Sequence, residues 1–194
     1  MSTIAILAED TSDVEALKYI VRRALGQERL PLWTKGYGGG GDLLSKGVRD
    51  IRQLQREGVR RFVVCHDADT ESWEAVDSKV RRRLLTPTGI AERCCVAVPV
   101  QELEAWLIAD EQAINAVITS FRFGGHRSPE RINSPKEWLR DESRRAGGKP
   151  LYVPKTHNPR VAERLRLEVV GQKCPSFRRF AEGLAGWRGE EGVL

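Results

Sequence analysis

The fold is read from the stretch Thr3-Ile4-Ala5-Ile6-Leu7-Ala8-Glu9-Asp10-Thr11-Ser12-Asp13. Its first six residues are uncharged and largely aliphatic or β-branched, which suits a strand buried on both faces of a parallel sheet. An acid follows at once, at Glu9. Ser12 with Glu15 three residues later reads as a capping box. Val14, Leu17, Val21 and Leu25 then recur at helical spacing until Gly26 ends the run. The unit is strand, acidic turn, helix.

The same alternation continues outward. Leu30–Lys35 is a weak strand candidate, followed by the loop Gly36-Tyr37-Gly38-Gly39-Gly40-Gly41. Asp42 is a plausible N-cap for a helix carrying Leu44, Val48, Ile51 and Leu54. Arg61–His66 holds a core strand, and a helix follows through Trp73, Val76, Val80 and Leu84 until Thr86-Pro87-Thr88-Gly89. Cys94–Val98 is a further buried strand, and ELEAWLIAD (102–110) begins a helix. Strand–helix alternation of this kind predicts an α/β fold, a Rossmann-like, parallel-majority sheet with helices on both faces, over residues 1–118. Prolines and glycines break residues 119–194 into short pieces, with helices expected near Pro135–Arg145, Pro159–Glu168 and Ser176–Leu184. This part reads as a basic helical appendage packed on the sheet domain.

The composition narrows the function. Of 194 residues 40% are hydrophobic, enough to fill a core, so disordered and fibrous classes fall away. No uncharged apolar run approaches the roughly 20 residues of a membrane helix. Glu9 interrupts the N-terminus before a secretory apolar region could finish. Cys65, Cys94, Cys95 and Cys174 form no CxxC pair, so zinc fingers and a disulfide scaffold are not expected. A reduced, cytoplasmic, soluble protein is the expectation. The net charge of +5 is uneven: residues 1–118 carry 16 Lys/Arg against 18 Asp/Glu, residues 119–194 carry 16 against 9. Arginine supplies 24 of the 32 basic residues, and its planar fork suits phosphate. A near-neutral first part and a basic second part suit a cation site at one end and a polyanion at the other.

The acids fall where such a site belongs. Loops leaving the carboxyl ends of parallel strands converge on one edge, and ligands bind there. Glu9 follows the first strand, with Asp13 four residues on. Asp67 and Asp69, in His66-Asp67-Ala68-Asp69, follow the third, and Glu102 and Glu104 follow the fourth. Two carboxylates 4 Å apart repel by roughly 4 kcal/mol at an effective dielectric of 20. A hard cation, Mg²⁺ or Mn²⁺, relieves that repulsion. Two residues apart on a helix, Glu102 and Glu104 point to different faces. Glu102, nearer the strand end, is the one expected to reach the site. Asp13 and Asp69 also have plain readings, as a dipole partner and a helix cap respectively.

Glu9, an acid four residues later, and Asp67-x-Asp69 after the third strand together resemble the TOPRIM domain of topoisomerases, primases and overcoming-lysogenization-defect nucleases. Further segments, QELEAWLIAD (101–110), KTHNPRVAERL (155–165) and CPSFRRF (174–180), are similar to a family of small TOPRIM-like bacterial proteins. Those are often encoded beside ATPases in phage-defence loci. Where that family reads Glu-Gly-x-Thr-Glu, this chain has Glu9-Asp10-Thr11-Ser12-Asp13.

Other residues carry weaker signals. The glycine loop lacks the Gly-Lys-Ser/Thr ending of a phosphate-binding P-loop and reads as a surface loop. His66 reads as a packed neighbour. Lys155, His157 and Arg160 could together meet a scissile phosphate, with Asn158 capping a helix whose first residue is Pro159 as the structural alternative. Arg178 and Arg179 join Lys155 and Arg160 as candidate backbone-binding cations. Tyr19, Tyr37 and Tyr152 lack an activating context, so a topoisomerase nucleophile is not expected.

Two functions compete. One is a metal-dependent phosphodiesterase acting on DNA or RNA in anti-phage defence, with Glu9, Asp67, Lys155 and His157 nearest the chemistry and Glu9, Asp13, Asp67, Asp69 and one of Glu102 and Glu104 around Mg²⁺ or Mn²⁺. The other is a non-catalytic adaptor subunit that binds a partner ATPase. Either is compatible with a homo-oligomer.

Overall fold

A computed structural model describes residues 4–144 and 148–188. Thr3 and Arg145, which bound a predicted strand and a predicted helix, lie outside the described residues. Four parallel strands form one sheet in the order β2-β1-β3-β4, with β1 at Ile4–Ala8, β2 at Leu32–Gly36, β3 at Arg61–Cys65 and β4 at Cys94–Ala97. In chain order the helices of the first half are α1 (Thr11–Leu25), α2 (Gly40–Arg56), α3 (Trp73–Val80), the short α4 (Thr86–Thr88), α5 (Glu104–Ile108) and α6 (Glu111–Val117). A π-helical turn over Arg81–Leu85 joins α3 to α4. The second half supplies α7 (Pro135–Glu142), α8 (Pro154–Arg164), α9 (Leu167–Lys173) and α10 (Pro175–Ala185).

Burial follows the sheet. All five β1 residues are fully buried, as an apolar run in a central parallel strand requires. Successive β1 side chains point to opposite faces and divide between two cores. Ile4, Ile6 and Ala8 face a core shared with α1, α5, α8 and α10, while Ala5 and Leu7 face one built with α2, α3 and the π turn. The helices of the second half therefore complete the sheet's own core. Trp106 is its largest fully buried member, stacked on Phe180 at 5.6 Å and edge-on to Phe177 at 5.2 Å.

Several helix starts differ from the sequence expectation. Helix α1 is capped by Asp10, not by a Ser12–Glu15 box: Asp10 Oδ1 accepts from the Ser12 and Asp13 backbone N–H groups at 2.5 and 3.1 Å. Aspartate caps as well as serine, and Asp10 comes first in the chain. Gly39 replaces Asp42 as the start of α2, and Ser72 replaces Asp69 as the cap of α3. Helix α8 begins at Pro154 and runs through Pro159, so Asn158 sits inside a helix and caps none. Pro159 has no N–H to give the Lys155 carbonyl four residues back, and α8 forgoes one helical hydrogen bond there.

Candidate functional site

The first turn of α1 and the loops after β1, β3 and β4 meet at the carboxyl edge of the sheet. Glu9 leaves β1 and reaches across to the neighbouring strand, accepting the Asp67 backbone N–H at 2.9 Å. His66 Nδ1 lies 2.7 Å from the same Glu9 oxygen and 2.8 Å from the Asp67 carbonyl, so its proton is shared between them. Burial alone would raise the Glu9 pKa. The His66 hydrogen bond and charge, with N–H groups of Asp67 and Gly40, outweigh it and hold Glu9 below the usual carboxylate range. His66 is raised in turn: burial opposes its charge, but Glu9 and the Asp67 carbonyl favour it.

Two glycines make this approach possible. A Cβ on Gly40 would stand 2.7 Å from His66 Nε2 and 3.1 Å from Glu9 Oε1. A Cβ on Gly36 would stand 2.6 Å from the Asp10 and Thr11 backbone. The glycine loop keeps exposed members at Gly38 and Gly41, as a surface loop does, while Gly36 and Gly40 pack closely against the Glu9 turn.

Behind Glu9 stand three buried carboxylates from three separate elements. Asp13 is on α1, Asp67 follows β3, and Glu104 opens α5. Each has one oxygen with no hydrogen-bond partner: Asp13 Oδ1, Asp67 Oδ1 and Glu104 Oε2. Burial pushes the Asp13 carboxyl up to about 8, with the charges of Asp10, Glu104 and Glu9 adding to the shift and Lys136 opposing it. Asp67 is raised well above the carboxylate range by burial and then by Asp13, Glu9 and Glu104. Glu104 is raised by burial, against the pull of Lys136 and the Asn158 hydrogen bond. These groups sense one another's charge and form one electrostatic unit.

The second half of the chain closes the site. Asn158 Nδ2 donates to Glu104 Oε1 at 3.0 Å, and the Tyr152 hydroxyl, which also bonds Asn158 Oδ1, reaches the same oxygen at 3.2 Å. Lys136, on α7, brings the nearest cation, with Nζ 3.9 Å from Glu104 and 4.0 Å from Glu102. Its backbone N–H donates to Glu102 Oε2 at 2.8 Å.

The remaining predicted residues lie further out. Glu102 is engaged with Lys136, and Glu104, two residues on, is the one turned into the cluster. The helix begins at Glu104, two residues later than expected, and this exchanges the faces of the pair. Asp69 is exposed, with a left-handed backbone (φ 47°) hydrogen-bonded to Gln101, itself at φ 63°. His157 is half-buried, its Nδ1 accepting the Val153 N–H at 2.8 Å. Burial and then Arg160 lower its pKa. Lys155 and Arg160 are exposed on α8, Arg178 is exposed on α10, and Arg179 lies over the Trp73 ring. Sequence reasoning missed Asn158, Tyr152 and Lys136 as members of the site. Only a neutral amide inside a basic helix, Asn158 in KTHNPR, hinted at the first.

The residues present offer a hard cation the right donor atoms: anionic oxygens, buried and unpartnered. Among the described residues, no group of three or more His, Cys, Asp or Glu side chains is arranged to hold a metal ion.

A family model described as a domain of unknown function, DUF4276, matches residues 8–185. The chain belongs to the DUF4276 family. That match spans every carboxylate of the site and all ten of the described helices. No curated protein and no solved structure matches the chain. Among the described residues of this DUF4276 chain, no helix is long and apolar enough to cross a membrane.

Proposed function

We propose that this DUF4276 chain is a TOPRIM-like, metal-dependent phosphodiesterase that cleaves DNA or RNA. The observation that carries the reading is the trio of unpartnered, buried oxygens on Asp13, Asp67 and Glu104 at the carboxyl edge of a parallel sheet. Buried polar atoms are rarely left without partners in a folded protein. Three such acids, drawn from three elements and mutually repelling, cost stability and are best accounted for by a cationic ligand.

Asp13, Asp67 and Glu104 would hold Mg²⁺ or Mn²⁺, with Glu9 beside them already ionised. Bound there, the ion supplies an acidified water and charge neutralisation at the phosphate. Glu9 is held by His66 and two backbone N–H groups, which favour its charged form. Asn158 and Tyr152 hold one Glu104 oxygen, which leaves the other directed to the ligand. Lys136 balances the acids from the α7 side and would meet a phosphate oxygen. Lys155, Arg160 and Arg178 offer exposed cations for the nucleic-acid backbone without reading sequence. His157, whose Nδ1 lone pair is taken by the Val153 N–H, would offer its Nε2–H as a donor to a phosphate oxygen. Cytoplasmic action in anti-phage defence beside a partner ATPase rests on the family resemblance.

The test is incubation of the purified protein, alone and with any ATPase that co-purifies with it, with single- and double-stranded DNA and RNA in Mg²⁺, Mn²⁺ and EDTA. Cleavage is expected only with the divalent ion, and Asp67→Asn should abolish it in Mg²⁺ with partial return in Mn²⁺. Wild type and Asp67→Asn cutting equally well would refute the reading. ATPase binding without cleavage under any condition would favour the adaptor function instead.

A further inference from the structure

Strand β4 is an edge strand, paired only with β3. Along its free side runs a cleft of about 410 Å³ between α3 and α10, lined by Trp73, Asp77, Arg81, Val96, Arg179 and Trp187 among others. Its volume is in the range of small-ligand sites. Helix α10 approaches β4 so closely that a Cβ on Gly183 would stand 2.7 Å from Cys95 Sγ, and this contact forms the floor.

The charges of the cleft are unevenly matched. Arg81 Nε is paired with Asp77 Oδ2 at 2.6 Å. The Arg179 guanidinium has its Cζ 4.0 Å from the centroid of the Trp73 ring and, among the described residues, donates no hydrogen bond and meets no carboxylate. A guanidinium stacked on an indole is held in place while its N–H donors stay free. The cleft thus pairs an aromatic surface with an unspent cation.

Its upper end belongs to the carboxylate edge. Trp73 opens α3, directly after the β3–α3 connection that carries Asp67, and Val98, also in the lining, lies on the β4–α5 connection that leads to Glu104. Ser176, a third lining residue, accepts the indole N–H of Trp106, two residues beyond Glu104, at 2.8 Å.

We propose that this cleft binds an unpaired nucleotide of a single-stranded segment, with its base on the outer face of the Arg179 guanidinium, whose inner face Trp73 backs, and a phosphate on that guanidinium's N–H edge. The inference rests on the phosphodiesterase reading for the identity of the ligand and deepens it to single-stranded substrate. Aromatic and guanidinium surfaces beside a cation take single strands, because every base has a stackable face and a duplex keeps its bases covered.

The experiment is fluorescence anisotropy of a labelled oligothymidylate and of a labelled duplex with the full chain in EDTA, where no metal-dependent cleavage intervenes. Wild type should prefer the single strand, and Trp73→Ala and Arg179→Ala should each weaken that binding roughly ten-fold while duplex binding changes little. Trp73→Phe should recover most of it. Arg179→Gln serves as a second probe on a solvent-reached side chain if Trp73→Ala unfolds, and melting curves identify that case. Wild-type affinity in both Arg179 variants, or no single-strand preference in the wild type, would overturn the proposal. Normal Mg²⁺-dependent cleavage with unchanged binding in these variants would remove the cleft alone. Cleft-dependent binding without cleavage would keep the cleft and remove the phosphodiesterase reading.

Discussion

Asn158 and Glu104, 54 residues apart in sequence, are joined by a buried hydrogen bond of 3.0 Å from the amide to the carboxylate. One belongs to the basic second half, the other to the sheet domain, and both are fully buried. The bond explains how a carboxylate survives in the core: one of its oxygens is satisfied by Asn158 and Tyr152, and only the other is left open.

Asn158→Ala should therefore destabilise the protein by about 1–3 kcal/mol, the usual cost of leaving a buried polar partner unsatisfied. Asn158→Asp should cost more, since it sets a second carboxylate against Glu104. Urea denaturation of the three proteins checks the order, and an Asp variant as stable as the Ala variant would contradict it.

Stability should fall as pH rises from about 5 to 8 when measured in EDTA. The native Asp13 carboxyl keeps its proton up to about 8, while the unfolded one loses it in the ordinary carboxylate range. Between those limits the native state binds more protons, so each rise in pH favours unfolding. Asp10, Glu104 and Glu9 face Asp13 as repelling charges and Lys136 as an attracting one, and His66, raised by Glu9, acts in the same direction. Asp13→Asn should flatten the Tm–pH curve by its share. An equally steep curve in that variant would assign the slope elsewhere.

Asp67→Asn should leave the melting temperature unchanged or raise it. Its carboxyl is buried beside Asp13, Glu9 and Glu104, and one oxygen has no partner. An amide removes the repulsion and keeps the shape. In the wild type, Mg²⁺ or Mn²⁺ should raise Tm with concentration, as any ligand of the native state does. The shift should shrink in Asp67→Asn; differential scanning fluorimetry measures both.

Gly36→Ala should be among the most damaging single changes in the chain. The added Cβ would stand 2.6 Å from backbone atoms of Asp10 and Thr11, which cannot swing aside as a side chain would. Overpacking typically costs about 1–3 kcal/mol. The Glu9 turn should move with it, so divalent-ion stabilisation should weaken beyond what the Tm loss explains. Gly41→Ala, with open space around its Cβ position, is the control.

Charge removal at Lys155 and Arg160 should weaken nucleic-acid binding uniformly across sequences. For every phosphate no longer neutralised, the slope of log K against log salt should become shallower by about one. Both side chains are exposed, so the fold should tolerate the changes. An unchanged slope would show that neither side chain meets a phosphate.

The layers and the location of the site are written in the amino-acid order. The apolar runs within β1, β3 and β4 and the helical spacing between them specify a buried parallel sheet, because side-chain periodicity is a local property of the backbone. Acids directly after those runs must lie at the carboxyl edge, which is why Glu9, Asp13 and Asp67 were legible from the chain alone. Local spacing could not say which of Glu102 and Glu104 turns inward, since starting a helix two residues later exchanges their faces. Nor could it show that Asp10 outcompetes Ser12 as the cap, a contest decided by which side chain reaches the free N–H groups first. Asn158, Tyr152 and Lys136 were beyond its reach for a different reason. Their roles arise where α7, α8 and the segment between them fold back onto the sheet, and hydrogen bonds spanning tens of residues leave no periodic trace in the chain. It took the folded arrangement, which excludes water from Asp13, Asp67 and Glu104 together, to turn separate acids into one interacting cluster.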